Sequence, residues 1–183
     1  MNILSVIKKN PLIRAADAGK EFESAVNSPS DVIFLIKSEI YSLKKIVSYA
    51  QTHGKKIFVH LDLWDGLGSG EAAVNFIADF IKPDGVISTK LATVRAATER
   101  GLSSVYRVFL IDSQGVCTAK NTVRKCDCDF IEIMPGIIYK EIKEFALLKK
   151  NLIAGGLIET REEAIAALQA GALAVSSSKT ISL

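Results

Sequence analysis

The sequence has no apolar run approaching the 20 or so residues that a helix needs to cross a bilayer, so no stretch reads as a membrane span. Its N-terminus, Met1-Asn2-Ile3-Leu4-Ser5-Val6-Ile7-Lys8-Lys9, puts the basic residues after the apolar ones, the reverse of a secretory signal. Cysteine is scarce: Cys117, Cys126 and Cys128 make 3 in all, an odd number that cannot pair completely. That excludes a disulfide-stapled scaffold and makes a reducing cytoplasm the simplest compartment. Cys126-Asp127-Cys128 would suit a soft metal, but no second Cys/His cluster completes four ligands, so the cysteines read as structural and neither metal nor cofactor is expected. Aromatic residues are only 7% of the chain, and it has neither a stacking-platform motif nor an arginine-rich tail. Charge is nearly balanced, with a net +3 and a pI near 8.7, which permits a nucleic-acid partner without demanding one.

What is present is ordinary globular material. Of 183 residues, 49% are hydrophobic and 23% charged, enough for one domain with a substantial core. No linker, low-complexity segment or change of composition divides residues 1–183. Strand-like apolar runs recur at about Leu12–Ala16, Val32–Lys37, Ile57–Leu63, Gly85–Lys90, Ser104–Ile111, Phe130–Pro135, Leu152–Gly156 and Leu173–Ser177. Most are flat runs rather than alternating ones, as parallel strands covered on both faces require. Helical stripes lie between them, such as Leu43, Ile46, Val47 and Ala50, or Ala164, Ile165 and Leu168. Thr160 with Glu163 makes a capping box, Gly171 closes that helix, and Gly54 and Gly101 stop two others. Eight units of about two dozen residues predict a compact eight-stranded β/α (TIM-like) barrel, with an open doubly wound sheet as the alternative. Only Lys179–Leu183 follow the eighth strand, too few for a closing helix. Ile3, Leu4 and Ile7 offer one turn of apolar stripe to cover that gap, or a partner subunit in a homodimer would cover it.

The chain is organised around Lys55–Phe76. Here the third strand carries His60 and Asp62, two residues apart and so on one strand face, into the glycine-punctuated turn Gly66-Leu67-Gly68-Ser69-Gly70 and a helix. In α/β barrels, ligands sit at the carboxyl ends of the strands. Polar residues interrupting the strands near those ends are Arg14, Lys37, His60, Asp62, Ser88, Lys90, Arg107 and Glu132. A buried charge costs several kcal/mol unless it reaches water, a partner or a ligand. Singly each has a bland account, since Lys37 and Lys90 can snorkel and Arg107 can pair with Glu132. As a set, mainly basic with two carboxylates, they suit a small anion bearing hydroxyls. Trp64, just beyond Asp62, fits an exposed rim, a lid or the core.

The last two strands sharpen the reading. Gly155-Gly156 after the seventh and Ser176-Ser177-Ser178 after the eighth occupy the positions where barrels commonly bind phosphate, through close backbone approach and added donors. On this basis alone, an isomerase, aldolase or synthase acting on a sugar or glycerol phosphate fits. Lys90 or Lys37 would then be a Schiff-base nucleophile and His60 a proton carrier.

His60-Leu61-Asp62-Leu63 leading to Gly66 and Glu71-Ala72-Ala73-Val74, followed by Gly85-Val86-Ile87-Ser88-Thr89-Lys90, resembles the glycerol-3-phosphate-responsive antiterminator family. So do Phe109-Leu110-Ile111-Asp112-Ser113, Glu132-Ile133-Met134-Pro135-Gly136 and Ile153-Ala154-Gly155-Gly156-Leu157-Ile158. The likeness runs from about Pro11 to Ser178. It implies a bacterial cytoplasmic regulator that binds glycerol 3-phosphate, or a similar small phosphate, and acts on the leader mRNA of glycerol-use operons. With RNA as partner, the loops entering the strands matter, because they lie opposite the ligand rim. Lys55, Lys56, Arg124, Lys125, Lys149 and Lys150 recur there, with Asp84, Asp127 and Asp129 diluting them. They serve either RNA phosphates or the negative ends of helix dipoles, each of the latter contacts contributing about 0.3–1 kcal/mol.

Overall fold

Eight parallel strands close in chain order around one axis in the computed structural model, which describes residues 2–64, 66–68 and 70–183. Asp65 and Ser69, from the stretch after the third strand, lie outside the described residues. The strands are β1 Leu12–Ala16, β2 Val32–Leu35, β3 Lys56–His60, β4 Gly85–Ser88, β5 Ser103–Phe109, β6 Phe130–Met134, β7 Leu152–Gly155 and β8 Ala174–Ser177. A helix α1, Ile3–Lys9, precedes them. Between strands come α2 Lys20–Val26, α3 Ile40–Thr52, α4 Glu71–Phe76 running on as a π-helical turn Ile77–Ile81, α5 Leu91–Glu99, α6 Ser113–Lys125, α7 Tyr139–Ala146 and α8 Arg161–Gln169. Pairing of β1 with β8, Arg14 opposite Ser177, closes the barrel and excludes the open sheet. Among the described residues no helix is long and apolar enough to cross a membrane.

The flat apolar runs follow from two-sided burial. Ile13, Phe34, Phe58, Ile87, Val105, Phe130 and Ile153 point inward and fill the barrel. Their strand neighbours Ile33, Ile57, Val59 and Val86 point outward onto Leu43, Val47 and Ala97 of the helices. Gly85 is forced by this packing, because a Cβ there would collide with the Phe58 ring. The capping box of α8 forms as its sequence indicates, Thr160 and Glu163 exchanging side-chain and backbone bonds.

Two features depart from expectation. The stripe of α1 does not cover the side of the barrel; Val6 and Ile7 join the inward-facing cluster and plug its N-terminal end. Ile181 covers the seam instead, packing with Leu12 and Val175. The third strand also ends early, at His60, and Leu61–Leu63 form a 3-10 turn. That turn aims Asp62 sideways at the β4–α5 connection, where its carboxylate accepts bonds from the Ser88 hydroxyl (2.8 Å) and from the N–H (2.6 Å) and hydroxyl (2.8 Å) of Thr89. Trp64 is buried among the apolar residues outside the strands, so it belongs to the core. Cys126 and Cys128 are joined to each other and Cys117 is exposed.

Candidate ligand-binding site

Above the apolar filling, the next inward-facing layer is polar. Arg107 on β5 lies opposite Glu132 on β6 in the sheet register, and the even spacing from Val105 and Phe130 turns both inward. Glu132 is 0% exposed and Arg107 6%. The arginine donates its Nε–H to Glu132 Oε2 at 2.6 Å, and the Ser176 hydroxyl donates to Oε1 at 2.5 Å. Both oxygens of a buried carboxylate are thereby satisfied, without which the charge would not be tolerated. Gly155 makes the arrangement possible, because a Cβ at that position would enter the space of the Glu132 carboxylate and the Ser176 hydroxyl. The glycine read as a phosphate contact thus serves first to admit the acid.

His60, on β3, belongs to the same layer and is 2% exposed. Burial, reinforced by the positive charge of Arg107, pushes its pKa down to about 4 against the smaller opposing effects of Asp62 and Glu132. At neutral pH it is therefore uncharged and supplies one donor and one acceptor; its Nδ1 has no hydrogen-bond partner among the described residues. Burial alone would raise the Asp62 carboxyl, but the bonds from Thr89 and Ser88 outweigh it and hold the group below its ordinary value. Asp62 is thus a strut for the β4–α5 connection.

A cavity of about 290 Å³ opens over this layer, walled by Arg107, Glu132, Met134 and Ser176 with Gly156, Leu157 and Ser178 from the loops after β7 and β8. Gly156 and Leu157 both have left-handed backbones, φ +74° and +59°. For leucine that conformation costs about 1–2 kcal/mol, strain of a kind that gathers at ligand clamps. Ile36, just past β2, and Glu159, in the loop between β7 and α8, also border the cavity; no local motif marks either of them.

The other rim candidates lie elsewhere. Arg14 stands between inward Ile13 and Ala15, so it faces outward into the seam left without a helix. There it donates from Nη1 to the Ala15 (3.1 Å) and Ser177 (3.3 Å) carbonyls, and burial lowers its pKa against the pull of Glu21. Ser177 borders the cavity, but its hydroxyl bonds the Ile158 carbonyl at 2.6 Å. Lys37 sits in a separate rim hollow with Asp17, Glu39 and Ser42. Lys90 is exposed at the start of α5, so neither candidate Schiff-base lysine is inside the barrel. The structure therefore gathers Arg107, Glu132, Gly156 and Ser176 at the mouth, with Gly155 and His60 in the buried layer beneath.

On the opposite face, Lys55 donates to the Ser28 and Ser30 carbonyls at 2.7 and 2.8 Å. Lys56 pairs with Asp84 at 2.7 Å and Lys150 bonds the Cys126 carbonyl at 2.8 Å. Arg124 bonds Asn121, while Lys125 and Lys149 are exposed. Among the described residues no group of three or more His, Cys, Asp or Glu could hold a metal ion.

Fold and site define a single-domain TIM-type β/α barrel with a polar, partly strained mouth at β5–β8. Distant barrels share the architecture: an aldolase at 14% identity superposes with a TM-score of 0.72 over 96% of this chain and 92% of its own, which bears on fold alone. The model of the glycerol-3-phosphate responsive antiterminator family matches residues 12–181, and the chain belongs to that family. A glycerol uptake operon antiterminator regulatory protein from Listeria monocytogenes is 34% identical, with a TM-score of 0.88 and 92% of each chain covered. A glycerol uptake operon antiterminator-related protein from Thermotoga maritima is 31% identical, with a TM-score of 0.80 over 91% of this chain and 94% of its own. The uncharacterized Escherichia coli protein YgcP is 31% identical over 181 residues, 98% of this chain and 95% of that protein.

Proposed function

We propose that the protein is a cytoplasmic transcription antiterminator that binds glycerol 3-phosphate and acts on leader mRNA of glycerol-utilisation operons. The observation that carries the ligand half is the cavity of about 290 Å³ between the Arg107–Glu132 pair and the loops after β7 and β8. The phosphate would rest on Gly156 and the Ser176–Ser178 loop. Arg107 would supply charge, since a guanidinium has five N–H donors and only the Nε–H is given to Glu132. Glu132 would face the glycerol hydroxyls, with neutral His60 in the layer beneath. Family membership supports the regulatory half. Titration calorimetry against glycerol 3-phosphate, dihydroxyacetone phosphate, inorganic phosphate and glycerol tests the reading. Glycerol 3-phosphate should bind, and glycerol should lose most of the affinity because charge-assisted bonds are roughly twice as strong as neutral ones. Product analysis of the same samples should find no turnover. Equal binding of glycerol would remove the phosphate assignment, and product formation would favour the enzyme alternative.

A further inference from the structure

Tyr41, Lys45, Tyr49 and His53 follow one another at intervals of four residues along α3 and its C-cap. Side chains so spaced form a single ridge running obliquely along a helix. Leu43, Val47 and Ala50 are the buried face of α3, so the ridge lies on the solvent side. Polar and charged residues ordinarily occupy such a face; here Tyr41 is 78% and Tyr49 47% exposed. The His53 ring stands 4.3 Å from Tyr49, and Tyr49 leans on Phe22 of α2 at 6.2 Å, which holds the lower half of the ridge in place. Lys44 and Lys45 are exposed, and neither has an ion-pair partner among the described residues. Of the acids around α3, Glu39 interacts with the Tyr41 hydroxyl, Glu21 on α2 accepts the Asp17 N–H, and Asp79 on the π-helical turn packed against α3 pairs with Arg100.

Exposed tyrosines interleaved with unpaired lysines suit one kind of partner. Protein interfaces favour aromatics but are depleted of lysine. Single-stranded nucleic acid takes both, its bases stacking on rings and its phosphates drawn to cations. On the face opposite the ligand mouth, Lys55, Lys56 and Lys150 are already tied to carbonyls and to Asp84. Lys125 and Lys149 are exposed there, but the exposed tyrosines among the described residues, Tyr41 and Tyr49, are both on α3.

We infer that the α3 ridge is the seat of single-stranded RNA, with bases stacked on Tyr41 and Tyr49 and phosphates on Lys44 and Lys45. The inference rests on the antiterminator reading above and assigns its RNA-contact surface. The two tyrosines lie about 12 Å apart along the helix axis, so they take different bases of the strand. The ridge begins at the rim, beside the hollow lined by Asp17, Lys37, Glu39 and Ser42.

The test is fluorescence anisotropy with a fluorescein-labelled 20-nucleotide single-stranded RNA of mixed sequence, with and without saturating glycerol 3-phosphate. The same RNA annealed to its complement is the control. Wild type should prefer the single strand. Tyr41→Ala should weaken binding roughly ten-fold or more while Tyr41→Phe keeps most of it. Lys44→Ala with Lys45→Ala should flatten the log–log salt slope by roughly 1.4. Because Tyr49 packs on Phe22, Tyr49→Ala is interpreted only alongside its thermal melt, and Tyr41 carries the result. Unchanged RNA affinity and slope in the Tyr41 and lysine variants would overturn the ridge alone. Sedimentation showing that Tyr41→Ala converts a dimer to a monomer, with RNA affinity intact, would make the ridge a contact between copies and equally overturn it. A wild type that binds glycerol 3-phosphate but neither form of RNA would overturn the antiterminator reading together with the ridge.

Discussion

Glu132→Gln isolates the charge at the centre of the candidate site with almost no change of shape. In the native layer the carboxylate takes the Arg107 Nε–H at 2.6 Å and the Ser176 hydroxyl at 2.5 Å, all three groups being buried. The amide can keep one oxygen acceptor but must present an NH₂ to the other partner, and it leaves the guanidinium without a counter-ion. Removing one member of a buried pair costs about 3–5 kcal/mol, because the remaining charge has been taken out of water. Domains of ordinary stability have about 5–15 kcal/mol in total, so the variant should lose a large fraction. In a domain of this size that is a fall of roughly 6–20 °C in Tm. Urea unfolding followed by far-ultraviolet circular dichroism and by the fluorescence of buried Trp64, the 1 tryptophan of the chain, measures it. The companion variant Arg107→Met with Glu132→Leu removes both charges and should recover most of the stability, since apolar replacement of a buried pair is often neutral or better. It should still bind no glycerol 3-phosphate. A loss below about 1 kcal/mol in Glu132→Gln at an unchanged m-value would mean that the pair is not buried and unscreened as described.

His60 gives the protein an acid sensitivity of known sign. Its pKa is about 4 when folded, against about 6.5 in an unfolded chain. As pH falls below 6.5 the unfolded state takes up the proton first, so stability is full above that pH and declines until about pH 4, by up to about 3 kcal/mol. His60→Leu should flatten the urea midpoint between pH 6.5 and 4.5, and an equally steep fall in the variant would assign the effect to other groups. Ile7→Ala should cost about 2–5 kcal/mol, the range for truncating a fully buried isoleucine. A cost under 1 kcal/mol in the same unfolding assay would show that α1 is not a plug of the barrel.

The eightfold order of strands and helices was legible because two-sided burial leaves a mark in one dimension. Val32-Ile33-Phe34-Leu35 has no exposed residue in the structure, and the sequence has no polar residue there. The capping box of α8 and the glycines after α3 and α5 were equally local, resting on atoms within a few residues of one another. Polar residues near the strand ends stand out in the sequence, but their destinations are not settled by their positions: Lys37 and Lys90 lie beyond the ends of β2 and β4 and are exposed. Ser176 and Ser177 are adjacent and chemically alike, yet one hydroxyl enters the barrel to meet Glu132 and the other leaves it for Ile158. Arg14 went to the seam, and Asp62 turned away once its strand ended at His60. Lys55, Lys56 and Lys150 found partners 24 to 28 residues distant in the chain. A side chain's direction depends on a strand parity that one residue reverses, and its charge is spent or available according to groups brought close only by closure of the barrel. Burial repeats along the chain and can be read from it, whereas pairing joins residues that the chain itself keeps apart.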